Sequence, residues 1–318
     1  MLQQTQVDTV VPYFKRFMDR FPSVEALAEA SLEEVLKVWQ NMGYYNRARH
    51  LHKAAREIRL YHDSRIPNSA DGLRSLPGVG AYTAGAILSL AFGERVPAVD
   101  GNVKRVLSRL CCITGPLEKS KTQKAIYAIA EAMVPKRNAA EFNQGLMELG
   151  AMVCTPRDPS CTTCPVKAFC LALRNHKVDR VPLKSKKVSI PHKHMTAGIL
   201  NGQTGGRVLV VRRPPYGLLG GLWKFPGGEK RADESLEEAL KRTVAEEVGM
   251  EVIPGRETAS VKHSYTHFRL TMHVFPCYGK RGRPRAVGCD QWRWIRPKEL
   301  DAYPFSKVER KVMDALDI

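Results

Sequence analysis

Asp100 is the residue whose setting in this sequence most directly suggests chemistry. It follows the short segment Val96–Val99 and precedes Gly101 and Asn102, so a carboxylate and an amide lie beside a glycine where the apolar run breaks. A carboxylate held at such a break can stabilise positive charge developing on a substrate, and it can orient a water molecule. Asp100 is therefore the candidate catalytic residue.

A glycine-containing turn upstream of Asp100 is a candidate phosphate site. The turn consists of Leu76, Pro77, Gly78, Val79 and Gly80, and an Ala-rich run of helical character follows it. Its glycines allow close approach of the backbone, and its N–H donors together with the positive end of a helix suit a phosphate. A phosphate-binding turn followed by a lone acid one helix later is what an enzyme that cuts DNA or excises a base requires. Taken without Asp100, the turn would equally suit an ordinary surface helix hairpin.

Four cysteines at residues 154–170 form a second candidate site. They are Cys154, Cys161, Cys164 and Cys170, separated by six, two and five residues. Thiolates at this spacing suit a [4Fe–4S] cluster or a zinc ion. Zinc sites usually contain two Cys-x2-Cys pairs, whereas this segment has one, and nothing in the sequence indicates the secretion that disulfides would require. We expect a [4Fe–4S] cluster that braces a basic loop against DNA rather than one that does redox chemistry.

Two tyrosines lie beside two arginines in the segment 43–49. Tyr44 and Tyr45 precede Arg47 and Arg49. Aromatic rings beside basic side chains suit insertion into a base stack with phosphate contacts alongside. A tyrosine pair within a core is the alternative.

Length and charge limit the class of protein. The 318 residues suggest two domains, and 50 Lys and Arg against 32 Asp and Glu give a net charge of +18. This excess favours a polyanionic partner, although a solvated or membrane-skimming surface is also basic. No apolar run approaches the ~20 residues of a membrane span, and no signal peptide is evident. We expect a soluble protein of the cytoplasm, associated with the nucleoid and with no membrane.

The first half of the chain is predicted to be helical, so helices must position these residues. The second half is predicted to contain strands as well as a helix. The helical spacing of four side chains predicts that they are buried: Phe14, Phe17, Met18 and Phe21. Strands are predicted at Arg207–Arg213, Leu270–Cys277 and Gln291–Ile295, with a helix at Ser235–Val248. The predicted organisation is a helical domain (1–175), a basic linker (176–193) and a second domain (194–318).

Several motifs together resemble those of the MutY-type adenine DNA glycosylases. The motifs are MLQQTQV, GYYNRAR, VDGNVKRV, FNQGLMELGAMVC and the cysteine spacing, and residues 194–318 resemble the family's C-terminal domain. The resemblance implies an all-α helix-hairpin-helix DNA glycosylase domain with an iron–sulfur loop, followed by an α/β Nudix-like domain. It also implies base-excision repair, in which a monomer with a [4Fe–4S] cluster hydrolyses the N-glycosidic bond of adenine. The implied partner is double-stranded DNA with adenine opposite 8-oxoguanine.

The same resemblance implies residue roles. Asp100 would be the catalytic aspartate, with Asn102 and Tyr82 supporting it in the pocket. The hairpin Leu76–Gly80 would bind backbone phosphate. Contacts beside the oxidised guanine would come from Gln4, Thr5 and Tyr44. The places of a Phe-Ser-His loop that reads 8-oxoguanine would be taken by Tyr265, Thr266 and His267.

Two positions bear on the reaction. In the related endonuclease III type a lysine follows the hairpin and forms a Schiff base, but here the matching residue is Tyr82, so we expect a monofunctional enzyme that uses water. The glutamate acid of the family lies just upstream of the MLQQTQV motif, at which this chain begins. Glu94 and Asp8 are candidates for the acid by charge only, and we expect excision by this chain to be impaired.

A near-complete Nudix box lies in the second domain. The matching residues are Gly228, Glu234, Arg242, Val244, Glu246, Glu247, Gly249 and Met250, and Thr243 replaces one glutamate of the box. The carboxylates of a Nudix box hold Mg²⁺ against a pyrophosphate, so losing one weakens metal chemistry without excluding it. Adjacent Glu246 and Glu247 would equally suit a solvated helix face. The alternative functions are therefore a non-catalytic lesion-binding protein and a Nudix hydrolase fused to a DNA-binding domain.

Overall fold

The computed structural model describes residues 1–2, 5, 7–183, 189–202, 206–265 and 267–318. In the first half the chain forms α1 (Val7–Arg20), α2 (Val24–Glu29), α3 (Leu32–Val38), α4 (Tyr45–Tyr61), α5 (Ala70–Ser75), α6 (Ala81–Phe92), α7 (Gly101–Leu110), α8 (Ser120–Met133) and α9 (Ala139–Glu148). A π-helical turn (Leu149–Val153), two 3-10 turns (Cys161–Thr163 and Lys167–Phe169) and α10 (Leu171–Arg174) follow. Within the described part of residues 1–183 no strand forms, as the helical periods predict.

Local signals set the ends of the two helices that flank Asp100. Helix α6 ends at Gly93, whose φ of 71° is left-handed and is adopted by glycine without strain. Helix α7 begins after Asp100, whose side chain accepts the N–H of Val103. Because aspartate is a favoured N-cap, the candidate catalytic carboxylate also fixes the start of its own helix.

Helix α1 buries a narrower stripe than its sequence predicts. Phe17 and Phe21 are buried, but Phe14 and Met18 are exposed, so the expectation that all four belong to the core is wrong for these two. At about 100° per residue, Val10, Phe17 and Phe21 share one stripe, whereas Phe14 and Met18 are rotated to one side of it.

The second half of the chain combines strands with two α-helices. The described elements are β1 (His192–Leu200), β2 (Val208–Arg212), β3 (Trp223–Lys224), α11 (Leu236–Val248), β4 (Glu251–Pro254), β5 (Ala259–Ser264), β6 (Arg269–Arg281), β7 (Gln291–Ile295), a 3-10 turn (Pro297–Ala302) and α12 (Lys307–Leu316). All three predicted strands and the predicted helix are confirmed. Helix α11 starts at Ser235 through a capping box with Glu238.

These strands form two sheets. In the first, β1 runs parallel to β6, and β4 and β5 pair antiparallel with successive parts of β6. In the second, the order is β3-β2-β7 and every pair is antiparallel. Leu240 and Val244 of α11 share one core with Phe275, while Val308 and Val312 of α12 belong to another. This is an α/β domain, as the resemblance implies.

Contacts divide the chain into two compact units. The first consists of Met1–Arg56 together with Ser189–Ile318, and the second of Glu57–Val188. In the first unit Leu222 belongs to the core that also contains Trp39, and Glu33 accepts a hydrogen bond of 2.8 Å from Trp223 Nε1. The domain bounds 1–175, 176–193 and 194–318 follow sequence motifs rather than contacts, and they stay a prediction.

In the described ranges, no helix combines the length and the apolar character needed to span a bilayer.

Candidate active site and cysteine loop

The carboxylate of Asp100 is held by two donors. Its Oδ1 accepts the backbone N–H of Val103 at 2.7 Å, and its Oδ2 accepts Nδ2 of Asn102 at 3.1 Å. Both Asp100 and Asn102 are partly exposed. The carboxylate is thus oriented by its own helix and by a neighbouring amide while it remains accessible.

Tyr82 lies near Asp100, in the first turn of α6. Its hydroxyl donates to Met147 Sδ at 3.6 Å. Burial raises the pKa of Tyr82, and the negative charge of Asp100 raises it further. The structure therefore brings together Tyr82, Asp100 and Asn102, the three residues expected in the pocket.

Arg105 connects this site to the cysteine loop. Its Nη2 donates to Asn102 Oδ1 at 2.8 Å and to the carbonyl of Gly150 at 2.7 Å, and its Nε donates to the carbonyl of Cys154 at 2.8 Å. Gly150 lies so close to Asn102 that a Cβ at position 150 would be 2.7 Å from Asn102 Cβ. A continuous chain of hydrogen bonds therefore runs from Asp100 through Asn102 and Arg105 to the backbone of the first cysteine.

The glycine turn leads into the exposed start of α6. Leu76 is buried and anchors the turn, while Gly78, with a left-handed φ of 79°, and Gly80 are exposed. Gly80 is the N-cap of α6, and no side chain among the described residues caps that helix. The exposed helix start can therefore offer backbone N–H donors to an anion.

The four cysteines line one pocket: Cys154, Cys161, Cys164 and Cys170. Arg109, which is only 4 % exposed, lies at this pocket. It donates to Cys154 Sγ at 3.4 Å, to the carbonyl of Thr155 at 2.7 Å and to that of Val181 at 2.9 Å, and its own carbonyl accepts the thiol of Cys170 at 3.6 Å. Arg109 thus ties both ends of the cysteine loop to helix α7.

The four cysteine sulfurs of this pocket suit a metal ion or cluster that prefers sulfur ligands. None of the four cysteines forms a disulfide, and all are partly buried. Burial raises the pKa of the Cys161 thiol, and the charges of the other three raise it further. Across the described ranges, no set of three or more His, Cys, Asp and Glu side chains is arranged to hold a metal ion. Four sulfurs around one pocket, next to a buried guanidinium, nevertheless match the chemistry of an iron–sulfur or zinc site.

The two tyrosines of the segment 43–49 have opposite environments. Tyr45 is 6 % exposed and belongs to the core, whereas Tyr44 is 44 % exposed. Tyr44 has a left-handed φ of 48°, which is unusual for a residue other than glycine. The guanidinium of Arg47 lies 5.0 Å from the Tyr44 ring centroid and donates to Thr5 Oγ1 at 3.1 Å. The core interpretation therefore applies to Tyr45. Tyr44 and Thr5, two of the expected lesion contacts, both contact Arg47.

The expected lesion-reading loop is only partly exposed. The ring of Tyr265 lies 4.7 Å from that of Phe268 and 4.6 Å from that of His263, against the core, and burial raises the pKa of Tyr265 to about 12. His267 is exposed. Gln4 and Thr266, the other residues assigned to lesion contacts, lie outside the described residues.

The two acids considered by charge are both exposed. Glu94 directly follows the end of α6, and Asp8 lies in the first turn of α1.

The sequence analysis predicts no role for Arg105 or Arg109. Both lie on α7 and are four residues apart, so they share one face of that helix. Arg109 follows buried Val106, Leu107 and Ser108 directly, and a charged residue within a buried run signals a specific partner. That signal could have been found, but the identity of the partners could not.

Comparison with known proteins agrees with this arrangement. Residues 1–135 match the family model for the HhH-GPD superfamily base excision DNA repair protein, and residues 196–315 match that for the NUDIX domain. Three similar proteins are named adenine DNA glycosylase. The human protein is 32% identical over 98% of this chain and 66% of its own length, and that of Schizosaccharomyces pombe is 32% identical over 95% and 75%. The Arabidopsis thaliana protein is 36% identical over 86% of this chain and 50% of its own length.

The chain spans about two thirds of the human relative and half of the Arabidopsis one. Both halves of the fold, and the order in which they occur, agree with these matches. The chain belongs to the adenine DNA glycosylase family.

Proposed function

We propose that this chain is a monofunctional glycosylase that removes adenine mispaired with 8-oxoguanine in double-stranded DNA. The observation that carries the proposal is the carboxylate of Asp100, oriented by Val103 and Asn102 beside Tyr82. When adenine leaves a flipped nucleotide, positive charge develops on the sugar. A fixed carboxylate stabilises that charge and can orient the attacking water.

The binding of DNA draws on other residues. The exposed start of α6 at Gly80 and the net charge of +18 support contacts with backbone phosphate. Exposed Tyr44, with Arg47 beneath its ring, supports a wedge beside the lesion. The acid that protonates the leaving adenine has no assignment among the described residues.

We propose that Cys154, Cys161, Cys164 and Cys170 hold a [4Fe–4S] cluster. Their shared pocket and the hydrogen bond from Arg109 to Cys154 Sγ support this assignment. When bound, such a cluster would cross-link the loop and hold its basic side chains against DNA.

Labelled duplexes test the proposed activity. The full chain is incubated with adenine opposite 8-oxoguanine, opposite guanine or opposite thymine, and strand breakage after alkali is measured. We expect breakage at adenine opposite 8-oxoguanine, and we expect it to be slow, because no residue among those described is assigned as the acid that protonates adenine. Binding without breakage would support a lesion-binding protein instead, and hydrolysis of free 8-oxo-dGTP with Mg²⁺ would support a Nudix hydrolase.

Borohydride should trap no covalent complex between this protein and lesion DNA. Tyr82 has no amine, so it cannot form the Schiff base that borohydride reduces. Tyr82→Lys places an amine at that position, and it should yield a trapped band on a denaturing gel. A strong band from the unaltered protein that persists in Tyr82→Phe would show that another amine is the nucleophile.

Arg105→Gln should lower the excision rate by ~10-fold or more with little change in DNA affinity. The substitution removes the guanidinium that orients Asn102, and a small misplacement of a catalytic group can cost up to ~10²-fold. Single-turnover rates and dissociation constants are compared with those of Lys104→Gln, the neighbouring change on the same helix. Equal excision rates for the two variants would contradict the positioning role.

His267→Ala should reduce the preference for 8-oxoguanine over guanine opposite adenine by ~3–10-fold. This factor corresponds to the net free energy of about one hydrogen bond. The change is confined to an exposed side chain. Truncation of residues 190–318 is a poorer test, because Leu222 completes the core of the first helices. His50→Ala, another exposed histidine, is the control. An unchanged ratio of dissociation constants would remove His267 from the lesion site.

A further inference from the structure

The Nudix-like domain contains a pocket at which its fold family holds a divalent metal ion. The pocket is a cavity of about 680 Å³ between the glycines Gly227 and Gly228 and the face of α11 that carries Thr243, Glu246 and Glu247. A metal there would need carboxylate and carbonyl oxygens that are free to coordinate it.

A lysine already occupies the oxygens that such an ion would use. Lys224 on β3 is 3 % exposed, and its Nζ lies 2.6 Å from Glu247 Oε1 and donates to the carbonyl of Gly227. The second oxygen of Glu247 accepts the N–H of Gly227 at 3.0 Å. One carboxylate and one backbone carbonyl are the ligand types of a hard cation, and here both face an ammonium group.

The other acids of the Nudix box are also paired with cations. Arg242 donates to Glu234 Oε2 at 2.9 Å and to Glu246 Oε2 at 3.0 Å, and it lowers the pKa of Glu234 to about 2. Thr243, which replaces a glutamate, donates to the carbonyl of Ala239 and brings no charge. Each remaining carboxylate of the box therefore has a fixed positive partner within the protein.

Two cationic and two acidic side chains meet behind the pocket, and Lys224 is one of the cations. Glu309 is 1 % exposed and lies 3.9 Å from Arg213. Together, Lys224 and Arg213 give two positive charges, and Glu247 and Glu309 can give two negative ones. A divalent cation at Glu247 would meet the ammonium as a like charge, whereas removing the ammonium would leave a carboxylate without its partner.

We infer that the Lys224 ammonium replaces the divalent cation in this pocket, so that the pocket accepts Mg²⁺ or Mn²⁺ only when the ammonium is removed. The residues present do not fit the metal of the fold family. This inference is independent of the glycosylase proposal, because it concerns a different site and a different ligand.

Mn²⁺ titration followed by electron paramagnetic resonance tests the inference on the full chain. Lys224→Met should gain one Mn²⁺ site, with an affinity at least ~10-fold higher than that of the unaltered protein for Mn²⁺ at Glu247. The double variant Lys224→Met, Glu247→Gln should lack this site. Lys230→Met removes a lysine from the rim of the same pocket and should gain none. The melting temperature of Lys224→Met should rise with Mn²⁺, while that of the unaltered protein should not.

Two results would overturn the inference. One is a Mn²⁺ site in the unaltered protein that Glu247→Gln abolishes. The other is Mn²⁺ binding by Lys224→Met no tighter than by Lys230→Met. If Lys224→Met does not fold, Thr243→Glu in the otherwise unaltered protein decides: it should gain no Mn²⁺ site while the ammonium remains, and a gained site would contradict the replacement.

Discussion

Replacing Asp100 with asparagine should lower the single-turnover rate of adenine excision by ~10²–10³-fold, or about 2.7–4 kcal/mol of barrier. Asparagine caps helices as well as aspartate does, so the N–H of Val103 keeps its acceptor and α7 keeps its start. The neutral amide cannot stabilise positive charge on the sugar. The rate is measured with excess protein over a duplex carrying adenine opposite 8-oxoguanine, by alkaline cleavage.

Asp71→Asn is the matched control for this substitution. Asp71 is an exposed acid in the first turn of α5, so the variant loses the same charge at the start of another helix. Its excision rate should equal that of the unaltered protein, and both variants should bind the mispair. An Asp100→Asn rate within ~3-fold of the unaltered protein would show that Asp100 is not the stabilising group, since the loss would be far below the expected range.

Cys164→Ala should remove most of the iron from the protein and unfold the loop. The unaltered protein, purified without oxygen, should be brown and contain about four irons per chain, the content of one [4Fe–4S] cluster. The loop between residues 154 and 170 contains only short 3-10 turns, so we expect its fold to depend on ligation by the four thiolates. Iron analysis, the visible spectrum and the melting temperature measure the loss.

Cys289→Ala separates this effect from the loss of any buried thiol. Cys289 is buried in the core of the other compact unit, outside the cysteine loop. That variant should keep its iron and its colour, even if its stability falls. One tightly bound zinc and no iron in the unaltered protein would contradict the cluster assignment.

Local chemistry explains why much of the candidate site could be predicted. The break before Asp100, the glycines of the turn and the cysteine spacing are short-range features that can be recognised within a few residues of sequence. The strand predictions likewise rested on short stretches of sequence. These predictions needed no knowledge of which segments meet in three dimensions.

Features that depend on distant partners could not be predicted. Arg109 follows a buried run in α7, but its partners and those of Arg105 include carbonyls about forty residues or more away, which the sequence does not identify. Two adjacent tyrosines differ in exposure, 44 % for Tyr44 and 6 % for Tyr45, and nothing in the pair itself distinguishes them. The role of Lys224 likewise depends on Glu247, which lies far from it in the sequence and 2.6 Å from its Nζ in the structure.

The shared core of Met1–Arg56 and Ser189–Ile318 also has a consequence for biosynthesis. The ribosome must add residues up to Leu222 before the first helices can bury their apolar side chains completely. At ~5–20 residues per second, that interval is on the order of ten seconds or longer. Glu57–Val188 emerges with its own core partners and can fold during this time. The helices that are made first therefore complete their fold after Glu57–Val188, and in the interval their apolar faces are exposed.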